Sequence, residues 1–419
     1  MTSHAASDRP LLTRRLWWLL AAVSLLGAAA FAIGLATDAT RAWAVLLVNF
    51  LFWSGLSHAG VALSAIFQAT SARWARPLKR VAEATIAFTP VSAVMLLVLL
   101  AGVPAWMPWV QEPHEARGAW LNVPFLVVRQ SLGFLLLTAV GCAYVYASVR
   151  PDIHETGRPG ARTRVVMLGH VTRTWRGLEA ERDVSRRRQG RLAPLLLVTY
   201  ACVLSLQAFD FVMSLDPEWF STLAGGYFFV GNLYVGVAFL AIAAVWIGSH
   251  PQMRGYVGPG HLHDIGRLML GFCMLWAYLF WAQYLVIWYG DLPEETAFVA
   301  RRTIDAPWAP LAWVVLGEAF VVPFILLLSR ELKRRRRGLS AVAGLILAGM
   351  WLERFILVEP SLWHGARLPL GPVEGLVTAG AGASFVLCYA VFLRRVPMLP
   401  LADPLLTPPG GEHADHTVS

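Results

Sequence analysis

Apolar runs of about 20 residues follow one another along the chain, separated by short polar stretches that hold most of its charge. Runs of that length match a bilayer crossed at a 1.5 Å rise per residue, and a water-soluble core has no use for so many of them. The pattern predicts ten helical spans: Leu16–Ala36, then 43–69, 83–102, 121–149, 192–215, 224–248, 266–289, 308–329, 339–359 and 372–393. The first follows Arg14-Arg15, is longer than the apolar part of a signal peptide and lacks a cleavage site, so it reads as a retained helix. The expected fold class is therefore all-α, a polytopic membrane protein of ten transmembrane helices. One domain covers 1–395, including a basic loop over 151–191, and a tail over 396–419, rich in Pro, Gly, His and Asp, is expected to be disordered. Within the loop, Val165–Arg188 is predicted to form an amphipathic surface helix, with Val165, Leu168, Val171, Trp175 and Leu178 on one side.

Composition agrees with the pattern. Hydrophobic residues make up 57% and charged residues 15% of the 419, against about 25% charged in a soluble chain. The formal charge of +9 would suit nucleic acid if it were clustered on a soluble face, but its distribution follows the loops. With the N-terminus placed in the cytoplasm, 28 of the 35 Lys and Arg fall on inner segments and span ends, and five fall on outer loops. Both termini are thus expected on the cytoplasmic side. The runs Arg186–Arg188 and Arg334–Arg337 read as orientation signals and contacts with lipid headgroups in the bilayer, not as a nucleic-acid site. Trp106, Trp109, Trp120, Trp219 and Trp308 suit an interfacial aromatic belt.

Cysteine and histidine narrow the chemistry. Cys142, Cys202, Cys273 and Cys388 stand alone in apolar runs, with no C-x-x-C, C-x-x-C-H or ferredoxin spacing. Of eleven histidines only His58 lies deep in an apolar run, which leaves no pair of axial ligands for a membrane haem. The chain is expected to carry no redox metal of its own. It shows no P-loop, dinucleotide fingerprint or soluble catalytic domain, and no residue is assigned a catalytic role.

Charges inside the spans are the candidate chemistry. Inserting one into lipid costs at least ~2.5 kcal/mol, so such residues face a bundle interior and find partners there. Asp210 lies in the apolar run of LSLQAFDFVMSL and shares a helical face with Gln207 and Ser214. Arg129, Glu318, Glu353 and Arg354 are the other intramembrane charges, with Glu359 at an outer span end. His58 sits in a stripe of Ser54, Ser57, Ser64 and Gln68 beside Gly55, Ala59 and Gly60, where small residues permit close packing and an imidazole could relay protons. Arg129, Asp210 and Arg354 fall at similar depth toward the outer side. Two readings stand: a structural ion-pair cluster, or a polar route or headgroup site for a quinone or protons.

Four stretches carry a family likeness: SHAGVALSAIFQATSARWARPLKRVAEA (Ser57–Ala84), RTWRGLEAER (Arg173–Arg182), SLQAFDFVMSLDPEWFSTLAGGYFF (Ser205–Phe229) and WAQYLVIWYGDLPEET (Trp281–Thr296). With ten spans from about Leu16 to Arg395, the chain resembles the second polysulfide-reductase-like, or NrfD-like, membrane subunit of bacterial alternative complex III, a quinol:cytochrome c oxidoreductase. The resemblance implies two four-helix bundles, about spans two to five and six to nine, flanked by spans one and ten. It implies residence in the bacterial inner membrane beside a paralogous NrfD-like subunit, a periplasmic iron–sulfur protein and haem c subunits. Haem c and iron–sulfur clusters would sit in those partners, while quinol or quinone binding by this chain stays open. Carried onto this chain, the quinone or proton-path candidates are His58, Arg129, Asp210, Glu318 and Arg354, with Gln207, Ser214 and Glu353 secondary. Two other readings stand beside it: the quinone-binding anchor of a molybdopterin or iron–sulfur oxidoreductase, and, more remotely, a secondary transporter. Transporters often break helices near the midplane at Gly or Pro, whereas Gly258-Pro259 and Gly371-Pro372 sit in loops here.

Overall fold

A computed structural model describes residues 10–113, 117–155 and 177–406. All ten expected spans are helices long and apolar enough to cross a membrane, and no strand occurs among the described residues. They are α1 (Arg14–Thr37), α2 (Ala39–Ala69), α3 (Arg76–Trp106), α4 (Val123–Glu155), α5 (Leu178–Phe211), α6 (Ala224–Ile247), α7 (Pro259–Gly290), α8 (Trp308–Leu328), α9 (Arg336–Leu362) and α10 (Pro372–Arg395). Ten crossings return the chain to the end at which it entered. That end is called the near end below, and the other the far end.

The helix at the centre is α2, which is apolar or small all round and buried almost throughout. It packs against α3, α5, α6, α9 and α10, while α4 lies along α5, α6 against α7 and α9, α8 against α9, and α1 against α10. Lipid cannot drive apolar side chains together as water does, so close backbone approach does much of the work. A Cβ on Gly60 would fall 2.3 Å from Thr85 Oγ1, and one on Gly27 of α1 would fall 2.7 Å from the Gly380 Cα of α10. Large apolar side chains are left exposed on the span surfaces, Leu25, Leu97, Leu132, Val286 and Trp313 among them.

Three expectations change. The helix expected over 192–215 starts at Leu178, because LEAERDVSRRRQGR is rich in good helix formers and buries the stripe Glu181, Ser185, Gln189. Residues 178–188 of the expected surface helix therefore form the start of this span, and 165–176 lie outside the described residues. Residues 396–406, expected to be disordered, pack against the near end with Met398, Leu399 and Ala402 buried; 407–419 lie outside the described residues. The eighth span is interrupted by a π-helical turn over Gly317–Val321. Single π turns inside helices often mark functional sites, and this one holds Glu318.

Candidate functional site

Asp210 stands at the far end of α5, in the last turn, where a helix exposes unpaired carbonyls and disfavours negative charge. A cation is needed there, and α4 supplies it. Arg129 Nε donates to Asp210 Oδ2 at 2.7 Å and Arg129 Nη2 to Oδ1 at 2.6 Å, a bidentate pair. Trp120 Nε1 donates to Oδ1 at 3.1 Å and Gln130 Nε2 to Oδ2. The guanidinium lies 4.0 Å from the Trp120 ring centroid and 4.4 Å from that of Phe125, so its remaining surface meets aromatic faces. Ser214 Oγ closes the helix end by donating to the Asp210 carbonyl at 2.5 Å. Gln207 is buried one turn earlier on α5, but the amide that reaches the carboxylate is that of Gln130. Both oxygens of Asp210 are occupied by donors.

The segment after Asp210 is fastened as firmly. Arg117 donates to the Pro217 carbonyl, and Arg301 pairs with Asp216 at 3.1 Å. Trp219 stacks on Phe298 with centroids 3.7 Å apart and planes within 4°. On the other side of Phe298 lies Arg302, 3.4 Å from the ring centroid. Arg302 donates to the carbonyls of Phe298, Ile356 and Leu357 and to Ser361 Oγ, tying the short helix Pro293–Thr303 to α9. Burial pulls the Arg302 guanidinium down to about 9, with nearby Asp216 opposing, so it stays a cation at neutral pH.

Arg354, matched with Asp210 by depth, belongs to a different pair. Its Nη1 donates to Glu353 Oε2 at 2.5 Å, and its Nη2 reaches the Phe228 carbonyl and Asn232 Oδ1 at 3.4 Å each. The intramembrane charges thus form two separate pairs, one joining α4 to α5 and one holding α9 against α6. Glu318 joins neither, and its Oε2 is buried with no hydrogen-bond partner among the described residues. Glu359 has both carboxyl oxygens in that condition, while Glu374 beside it is taken up bidentately by Arg41 at 2.8 and 2.9 Å. His58 is a packed core residue. Its Nδ1 lies 2.9 Å from the Ser54 carbonyl, which requires a proton on Nδ1, and Nε2 is left to accept from Thr138 Oγ1 at 3.4 Å.

One buried polar cluster was not among the expected sites. Arg76, Lys79, Arg80 and Glu83, at the start of α3, are all buried at the near end. Arg80 is held by Glu83 at 2.5 Å and by Asp152 of α4, and Glu83 also accepts from Ser64 of α2 at 3.0 Å. Tyr144 of α4 donates to the Ser64 carbonyl at 2.9 Å. Lys79 Nζ donates to Gln68 at 2.9 Å and to Gln189 at 2.5 Å. In the sequence these residues count as loop charges that set orientation. The available signal was the spacing of Arg80 and Glu83, three apart on one helical face.

Among the described residues no group of three or more His, Cys, Asp and Glu is placed to hold a metal ion. The four cysteines are free. No protein-family model matches the chain, and no curated protein matches it.

Proposed function

We propose that this chain is a non-redox integral membrane subunit of a respiratory quinol:cytochrome c oxidoreductase of the alternative complex III type. The observation that carries the reading is the stretch Ser205–Phe229, whose likeness to that family, with that of Trp281–Thr296, is distinctive rather than generic. Its geometry supports a structural part: the carboxylate at its centre has every oxygen occupied, and its exit loop is clamped by Arg117, Arg301 and Phe298. The neighbour relations of the helices accommodate two four-helix groups, α2–α5 and α6–α9, with α1 and α10 paired outside them. In this reading both termini face the cytoplasm of a bacterial inner membrane. A paralogous NrfD-like subunit, a periplasmic iron–sulfur protein and haem c subunits are the partners, and electrons pass through those partners. Quinol oxidation is supported by this chain rather than performed by it. If the chain conducts protons, Glu318 and Glu359 are better placed than Asp210 or His58, because they keep carboxyl oxygens without donors.

Purification of the tagged full-length chain from its own membranes tests the reading. The expected result is co-purification with a haem c protein, visible by haem staining, and with an iron–sulfur protein. A preparation containing molybdopterin and no haem c would move the assignment to the anchor subunit of another oxidoreductase. A chain that purifies alone would end it. Reporter fusions after Arg188 and Arg337 are expected to read as cytoplasmic, and one near Glu295 as periplasmic.

A further inference from the structure

The near end holds a built site that neither the ion pairs nor the proposed assembly uses. Between the C-terminal segment and the ends of α2, α3, α4 and α5 lies a cavity of about 50 Å³, lined by Arg76, Lys79, Arg182, Arg186, Asp152 and Asp403 among others. At 10–15 Å³ for a water-sized volume, it has room for roughly three to five non-hydrogen atoms. Four of those side chains are cations and two are carboxylates. Asp152 is already engaged, by Arg80 and by the Ala402 amide at 2.7 Å. Asp403 is the carboxylate within ion-pair distance of Arg76 and Lys79 among the described residues, at 3.0 Å from Arg76 Nη1 and 3.6 Å from Lys79 Nζ.

Arg76 is what marks the site as unfinished. Only 1% exposed, it spends Nη1 on Gln68 and Asp403, while Nε and Nη2 have no hydrogen-bond partner among the described residues. A guanidinium has a planar fork suited to two oxygens of one anion, and a buried cation with idle donors is costly. Asp403 satisfies one arm of it with one oxygen. The residue comes from a segment outside the spans, held by the buried Met398, Leu399 and Ala402, by the Ala402 amide on Asp152 and by the pairs of Asp403 itself.

We propose that this cavity is a binding site for a phosphate group, and that Asp403 is a built-in competitor occupying the place of one phosphate oxygen. The incoming phosphate displaces the Asp403 carboxylate, takes its place on Nη1 of Arg76 and beside the ammonium of Lys79, and meets Arg182 and Arg186 at the rim. The C-terminal segment acts as a latch whose closed state excludes the anion. The same chemistry fits the headgroup of an anionic lipid and free phosphate.

The full chain in nanodiscs and in detergent separates these. Retention of phosphatidylglycerol against phosphatidylcholine is read by native mass spectrometry, and inorganic phosphate by the shift in melting temperature. Asp403→Asn removes the competitor and is expected to tighten binding about tenfold, within the 5–150-fold range of ordinary coupling between ligands. Arg76→Gln alone leaves Asp403 without its arginine, so the paired variant R76Q/D403N, neutral at both positions, is the binding-dead control. It is expected to fold as Asp403→Asn does and to lose the gain. A gain with phosphatidylglycerol only assigns the headgroup, and a gain with inorganic phosphate assigns the free anion. The proposal is overturned if Asp403→Asn tightens neither probe, or if the paired variant binds as tightly as Asp403→Asn.

Discussion

The two ends of this bundle solve the same problem in opposite ways. At the far end a single carboxylate, Asp210, is surrounded by more donors than it needs: one guanidinium, one amide and one indole. At the near end, cations gather at the start of α3 and two carboxylates, Glu83 and Asp152, are both spent on Arg80. The far-end carboxylate is fully engaged, while its arginine keeps one nitrogen, Nη1, without a hydrogen-bond partner among the described residues and lies against two aromatic rings. The near-end cluster leaves Arg76 and Lys79 leaning on amides and on one borrowed aspartate. A buried charge with its partners complete is a fastener, while one with partners missing can take a ligand or a proton. The comparison locates structural weight at Asp210 and Arg80 and reactivity at Arg76.

The largest effect is expected at Arg80. Arg80→Leu leaves Glu83 and Asp152 buried without their shared cation, and each broken buried pair costs about 3–5 kcal/mol. Loss of monodisperse, membrane-inserted protein on size exclusion is the expected outcome. A variant that purifies with an unchanged melting temperature would mean that the near-end cluster is not a fastener at all.

Asp210→Asn is expected to come next. It strands Arg129, again at about 3–5 kcal/mol, softened where the aromatic faces and the retained amide still hold the guanidinium. Asp210→Glu should recover little, because a side chain one methylene longer cannot meet the bidentate geometry from the same backbone. The paired variant R129M/D210N should recover much of the loss, since replacing a whole buried pair is far milder than breaking it. Melting temperatures of the four proteins check this. Equal damage in single and paired variants would show that the carboxylate matters for more than its pairing.

What the sequence made legible follows from where tertiary structure matters. The ten spans are visible because bilayer thickness imposes a length and composition that need no knowledge of neighbours. Asp210 stands out as a charge in an apolar run, and depth along the helices found Arg129 as a partner. Depth could not separate Arg129 from Arg354, because which helices touch is not written in either run. Trp120 and Gln130 carry no signal, being ordinary interfacial and span residues until α4 meets α5. The near-end cluster was hidden for a different reason. Arg76, Lys79 and Arg80 have the composition and position of a topology signal, and the packing of α2, α4, α5 and residues 396–406 around them makes them a buried site.

A smaller effect is expected at the far-end clamp. Phe298→Leu keeps apolar volume but removes the stack on Trp219 and the aromatic face beneath Arg302. Stacking contributes about 0.5–1.5 kcal/mol beyond area and a cation over a ring about 0.5–2. The variant should assemble, with a melting temperature lowered by less than that of Asp210→Asn. Limited proteolysis between α7 and α8 should quicken, since the helix Pro293–Thr303 loses its central contact. Unchanged cleavage there would shift the clamp onto Arg301 and Arg302 alone.

The smallest effect is expected at His58, which lies on the central helix and belongs to neither charged cluster. Its imidazole has one proton donor, and the 2.9 Å contact to the Ser54 carbonyl fixes that proton on Nδ1. The other nitrogen can accept from Thr138, and the ring meets Phe134 edge-on, so the neutral form has all its partners. A second proton would have to enter on Nε2, where the neighbouring hydroxyl must then turn to present its oxygen. Among the described residues no carboxylate bonds to the ring. His58→Gln keeps an N–H for the Ser54 carbonyl and forfeits about one neutral hydrogen bond, ~1 kcal/mol. In the oxidoreductase proposed above, turnover between pH 6 and 8 should match that of the unaltered protein. A pH profile that moved while assembly stayed intact would make His58 a proton carrier and weaken the division between closed fasteners and open sites.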